Sequence, residues 1–154
     1  MSQVQADQLP FDDPDLVASR ADLVRELRKF LPADSLLEQE EEVRPYECDG
    51  LSAYRQLPLL VLLPRTVDEV RRVMRLCNER DIPVVARGAG TGLSGGALPL
   101  ANGVVLSLAR FNRILELDSV NRTARVQPGV RNLAISDAAA THGLYYAPDP
   151  SSQI

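Results

Sequence analysis

The sequence predicts an α+β fold of small mixed sheets flanked by helices, and three observations predict it. Strand-like apolar runs and helical stripes succeed one another without a regular alternation. A glycine-dense segment joins two of the strands where a doubly wound fold would need a crossover helix. The last two apolar runs lie close enough to form a hairpin. A chain of 154 residues, 45% hydrophobic and 25% charged, has room for one domain and a usable core.

The elements follow in order. Residues 1–12 are polar and expected to be disordered. A helix is expected from Pro14, with Asp13 as N-cap, and Leu16, Leu23, Leu27, Phe30 and Leu31 continue its stripe until Pro32 stops it. Leu36-Leu37 lead into Glu38, Glu40, Glu41 and Glu42, a helix start or an acidic loop; without histidine, and with consecutive side chains pointing apart, a solvated surface is expected rather than a metal site. Leu59–Leu63 reads as a buried strand. Thr66-Val67-Asp68-Glu69 is a capping box that opens a helix with Val67, Val70, Val73, Met74 and Cys77 as its expected apolar face. Arg71, Arg72, Arg75 and Arg80 fall on its outer face. Asp81 follows that helix where glycine is the favoured residue, so a slightly strained end is expected. Further strands are expected at 84–86, 104–108, 114–118 and 123–127. A last helix is expected over roughly 131–141, closed by Gly143.

Function classes narrow with composition. A net charge of −4 argues against nucleic acid or an anionic membrane as partner. No apolar run approaches the ~20 residues that cross a bilayer, and the acidic first thirty residues lack a secretory core. Cys48 and Cys77 are too few for a disulfide framework and lack zinc spacing, so a cytoplasmic compartment is expected. Cys77 fits a core position, and His142, the single histidine, sits at a helix end. No Ser/His/Asp constellation supports covalent hydrolysis.

The chemistry concentrates between Arg87 and Leu100, which hold five of the nine glycines. Gly88, Gly90 and Gly92 remove Cβ atoms and permit positive φ. With Ala89 and Leu93 they can fold into a concave row of N–H groups that binds phosphate oxygens. Thr91 and Ser94 add hydroxyls, and Arg87 adds a cation for a bridging phosphate. The plainer alternative is a flexible connection. Gly90-Thr91-Gly92-Leu93-Ser94-Gly95 also spells the dinucleotide fingerprint G-x-G-x-x-G, with Glu116 about twenty residues on. Gly96, Pro99 and Asn102-Gly103 leave no room for the helix that fingerprint requires, and no Gly-Lys-Ser/Thr marks a nucleotide-triphosphate loop. Pro148-Asp149-Pro150-Ser151-Ser152 reads, on its own residues, as a rigid turn with a helix cap.

Pro83–Ala97 resembles the pyrophosphate loop of the flavoproteins related to vanillyl-alcohol oxidase and p-cresol methylhydroxylase. Arg44–Gly50, Arg125–Val130 and Tyr145–Ser152 agree with it. Within that superfamily the chain is similar to the FAD-containing subunits of bacterial glycolate oxidases, close to D-lactate and D-2-hydroxyglutarate dehydrogenases. The resemblance implies a tail and helix over residues 1–40 and a p-cresol methylhydroxylase-type FAD-binding domain over 41–154. The remainder of that domain and a cap domain with the catalytic side chains would lie beyond Ile154, leaving the chain as a fragment inactive by itself. It implies an FAD cradle of Arg87, Gly88, Ala89, Gly90, Thr91, Gly92, Leu93 and Ser94, with Pro148, Asp149, Ser151 and Ser152 along the flavin. It also implies a small 2-hydroxy acid as substrate, other oxidase subunits including an iron–sulfur subunit as partners, and peripheral membrane association through them. Some relatives attach FAD through a histidine in this loop; none lies between Arg87 and Leu100, so a non-covalent flavin is expected. The alternative from another class is a non-catalytic nucleotide-binding or interaction domain.

Overall fold

The structure, a computed structural model, describes residues 14–147. The expected N-cap Asp13 and the segment 148–154 lie outside the described residues, as does the side chain of Leu16. Helix α1 (Pro14–Leu27) buries Leu23, Val24 and Leu27 at helical spacing. It ends before the expected Leu31. Pro32 disfavours a helical conformation at the preceding residue, and its ring would meet the carbonyl four residues back. The chain therefore tightens, with Lys29 N donating to Glu26 O at 3.2 Å and Phe30 N to Leu27 O at 3.1 Å.

Strand β1 (Leu36–Leu37) precedes a short helix α2 (Glu40–Val43) built from the acidic run. Its carboxylates have structural work. The Glu42 side chain accepts from the backbone N–H of Gln39 and Glu38, which holds its carboxyl below the usual range, while Glu40 pairs with Arg44 and Glu38 with Arg28.

Strands β2 (Leu60–Leu62), β3 (Val84–Arg87) and β4 (Val104–Ser107) join β1 in a sheet of order β1-β2-β4-β3. β1 is antiparallel to β2, and β4 runs parallel to both neighbours, with Val61 and Val85 each opposite Val105. Side chains alternate across the sheet. Leu60, Leu62, Val104 and Leu106 join the main core with α1 and helix α3 (Val67–Glu79), whereas Val61 and Val105 pack beneath with Val43 and Leu57. Strands buried on both faces explain the unbroken apolarity of Leu59–Leu63.

The capping box at Thr66 is present, with Glu69 N donating to Thr66 Oγ1 and Thr66 N to Glu69 Oε2, both at 3.2 Å. The buried stripe of α3 differs from the expected one. Val73 and Cys77 are buried, and Val70 and Leu76 pack beside them, but Val67 and Met74 are 64% and 45% exposed. At 3.6 residues per turn, Met74 and Val67 lie roughly 100–120° around the helix from Val73, off the face that meets the sheet. Asp81 ends the helix at φ +56°, with Ile82 N donating to Cys77 O at 2.9 Å.

Strands β5 (Ile114–Asp118) and β6 (Thr123–Val126) form a separate antiparallel hairpin, and helix α4 (Asn132–Ala140) follows, with Gly143 behind it at φ +68°. Among the described residues no helix is long and apolar enough to cross a membrane.

Candidate functional site: a glycine loop between two parallel strands

Residues 88–103 carry the chain from β3 to its parallel neighbour β4 without a helix. That connection excludes the βαβ reading of G-x-G-x-x-G, whose phosphate site needs a helix N-terminus after the third glycine. What the loop offers is its own backbone. Among the described residues, none of the N–H groups from Gly88 through Leu93 donates a hydrogen bond within the protein, and the Thr91 and Ser94 hydroxyls have no partner either. Residues 91–94 are all exposed. Gly90 and Gly95 take φ +74° and +73°, so the successive N–H groups of the loop are not strung along an extended strand.

The glycines divide into two kinds. A Cβ on Gly88 or Gly92 would point into open space, which is where a ligand's phosphate can approach the backbone. A Cβ on Gly90 would stand 2.2 Å from Nη2 of Arg87, and one on Gly50 would stand 2.8 Å from the Thr91 carbonyl oxygen. Those two are inward-facing, and they lock the loop onto the segment below. Arg87 belongs to the same underside, since its Nη1 donates to the Cys48 carbonyl at 2.7 Å. The buried Asp49 forms a turn there by accepting from Leu51 N through Oδ1 at 2.9 Å.

Gly88 and Ala89 also line a cleft of about 400 Å³ with Ala109, Asn112, Gly129, Val130, Arg131 and Ala134. Of these the sequence reading assigns only Gly88 and Ala89 to the site. Gly129 is required by close approach, because a Cβ there would sit 2.5 Å from the Leu108 carbonyl oxygen. Arg131 is the N-cap of α4, and neither it nor Asn112 has a side-chain partner among the described residues. The missed signal is readable in retrospect. An arginine at a helix N-terminus opposes the helix dipole, a placement that an anion between the two would reconcile. The cleft thus brings together free backbone N–H groups, a helix N-terminus and a guanidinium, with no carboxylate in its lining. This donor set fits a pyrophosphate.

Other residues fall elsewhere. Pro148, Asp149, Ser151 and Ser152 lie outside the described residues. Tyr145 and Tyr146 line a second cleft of about 450 Å³ between α4 and the β5–β6 hairpin. His142 is exposed at the end of α4. Cys77 is buried in the main core, and burial pushes its thiol up to about 11.

The profile of the FAD binding domain family matches residues 58–154, and the chain belongs to that family. Glycolate oxidase subunit GlcD of Escherichia coli K12 is 55% identical over all 154 residues, and the chain spans 30% of that relative's length. D-2-hydroxyglutarate dehydrogenase of Xanthomonas citri pv. viticola is 37% identical over 80% of the chain and 26% of the relative. Among solved structures, p-cresol methylhydroxylase with substrate bound superposes with a TM-score of 0.72 at 26% identity, covering 82% of this chain and 25% of that one.

Proposed function

We propose that this member of the FAD binding domain family supplies the pyrophosphate cradle of an FAD-dependent 2-hydroxy-acid oxidoreductase whose substrate is glycolate. One observation carries the reading: the row of unpartnered N–H groups from Gly88 to Leu93 belongs to a chain 55% identical, end to end, to a glycolate oxidase subunit. In this reading the backbone of Gly88, Ala89, Gly90, Thr91, Gly92 and Leu93, with the Thr91 and Ser94 hydroxyls, holds the phosphate oxygens. Arg131 and the first turn of α4 close the other side of the cleft. Pro148, Asp149, Ser151 and Ser152 are assigned to the flavin end of the same cofactor. When bound, FAD supplies a hydride acceptor, so that loss of the C2 hydride and the hydroxyl proton converts glycolate to glyoxylate. The chain's contribution is to bind and orient: charge-assisted donors fix the pyrophosphate, and the rigid parallel strands on either side fix the loop.

The absence of histidine from Arg87–Leu100 supports a flavin held without a covalent bond. Other subunits of the oxidase, among them an iron–sulfur protein, are the proposed recipients of the electrons. The assembly is placed in the cytoplasm, touching the membrane only through those partners. A second substrate, D-2-hydroxyglutarate, is favoured by the 37% identical dehydrogenase. The test is anaerobic mixing of the complete chain encoded by the gene, carrying its flavin, with glycolate, D-lactate or D-2-hydroxyglutarate. Glycolate is expected to bleach the flavin absorbance fastest. Bleaching by D-2-hydroxyglutarate or D-lactate alone would reassign the substrate, and a chain purified without flavin would overturn the reading.

A further inference from the structure

Arg87 stands at the end of β3, and the sequence reading aims it at a phosphate. Its guanidinium is engaged elsewhere. Nη1 donates to the Cys48 carbonyl at 2.7 Å, and Cζ lies 5.4 Å from the centre of the Tyr46 ring, within cation–π range. The same group fills the space beside Gly90, where an added Cβ would stand 2.2 Å from Nη2 and 2.4 Å from Cζ. One side chain thus touches the Tyr46 ring, the Cys48 carbonyl and the turn of the glycine loop.

A second contact, between two backbones, lies beside it. Gly50 is pressed against the loop so closely that a Cβ would stand 2.8 Å from the Thr91 carbonyl oxygen and 2.9 Å from that of Gly92. Those carbonyls therefore face the Arg44–Gly50 segment. In a trans peptide the carbonyl and the next N–H point in opposite directions, and this chain has no cis bond among the described residues. The N–H groups of Gly92 and Leu93 are thus anti to the carbonyls packed against Gly50, and neither donates a hydrogen bond among the described residues.

We propose that Arg87 is a positioning residue: its guanidinium latches the Tyr46–Gly50 segment to the underside of the glycine loop, and the latch turns the loop's N–H groups outward to meet an anionic ligand. Its effect on ligand binding is exerted through the loop. The geometry of the fork matters more than its charge, because a lysine ammonium cannot lie flat on the Tyr46 ring while also donating to Cys48. The ligand in this inference rests on the FAD reading above; the latch itself does not.

The test compares Arg87→Lys, Tyr46→Leu, Tyr46→Phe and the double variant Arg87→Lys/Tyr46→Leu in the complete chain. Two readouts are taken: subtilisin cleavage within residues 88–97 of the flavin-stripped protein, and FAD affinity by fluorescence quenching. Arg87→Lys and Tyr46→Leu are each expected to speed cleavage and weaken FAD about tenfold, while Tyr46→Phe, which keeps the ring, behaves like the parent. The double variant is expected to be little worse than Arg87→Lys alone, since that substitution already breaks the ring contact that Tyr46→Leu removes. Arg87→Lys with parental cleavage and affinity would overturn the latch; so would effects that multiply in the double variant. Should Arg87→Lys fail to fold, the contrast between Tyr46→Leu and Tyr46→Phe decides. If the parent chain takes up no FAD, the flavin reading fails, and the cleavage rates still decide for or against the latch.

Discussion

Gly90 combines a backbone at φ +74° with a neighbour, the Arg87 guanidinium, in the space a side chain would need. Gly92 has neither constraint, so of the two only Gly90 uses the positive φ that glycine permits. The two positions should therefore respond differently. Gly90→Val is expected to lower unfolding free energy by about 1–3 kcal/mol from strain alone, read by urea denaturation of the complete chain. Gly92→Val should leave the urea midpoint where it is. Equal loss at both positions would contradict this division. Cys77 offers a second residue-scale check. Burial raises its folded-state pKa to about 11, above the value near 8.5 for an unfolded thiol, so its contribution to stability is intact below the unfolded value and lost as pH rises through 11. In native protein at pH 8 the half-buried Cys48 is expected to react with a thiol reagent while Cys77 stays silent until denaturant is added. Reaction of both thiols at the same rate would show that the main core is open.

At the scale of elements, α3 shows what local sequence can and cannot specify. Its start is spelled by Thr66 and Glu69, and the reciprocal cap forms as expected. Its end is spelled by Asp81, where glycine is absent and the backbone still adopts φ +56°. Both are local events in which a few residues decide the geometry. The buried face is a tertiary matter: Val67 and Met74 are apolar, but their angular position turns them away from the sheet, and no local rule says where the sheet lies. Likewise the Arg87–Cys48 contact spans 39 residues, and the Arg131 side of the cleft depends on how α4 meets the loop after β3. The glycine loop was legible because it is contiguous; the residues across from it were not. Two stability predictions follow from the helix ends. Asp81→Gly should stabilise the protein by about 0.5–1 kcal/mol by relieving the left-handed strain, seen as a raised urea midpoint. Thr66→Ala should cost about 1 kcal/mol by removing the cap. A lowered midpoint for Asp81→Gly would mean that the aspartate side chain, not the backbone, sets that end.

At the scale of the molecule, the described residues form a four-stranded mixed sheet with α1 and α3 on one face and α2 on the other, a glycine loop at the end of β3, and a hairpin followed by α4, whose N-cap Arg131 and Ala134 line the cleft beside that loop. The α+β expectation from irregular element order is what the sheet shows, and the missing crossover helix is what separates this loop from a Rossmann site. If the flavin is held only by hydrogen bonds, each contributing roughly 0.5–1.5 kcal/mol, denaturation should release it completely. Acid precipitation of the flavin-loaded complete chain is expected to leave a yellow supernatant and a colourless pellet. A pellet that keeps its colour would establish a covalent link.

Whether the free N–H row at Gly88–Leu93 grips the pyrophosphate of FAD is decided by the flavin content of Gly92→Val in the complete chain. A Cβ at Gly92 enters open space in the protein, on the side proposed above for the phosphate. The parent chain is expected to purify with one FAD per chain, and the Gly92→Val variant to fold with the same urea midpoint and carry none. A Gly92→Val protein that keeps a full complement of FAD would contradict that grip.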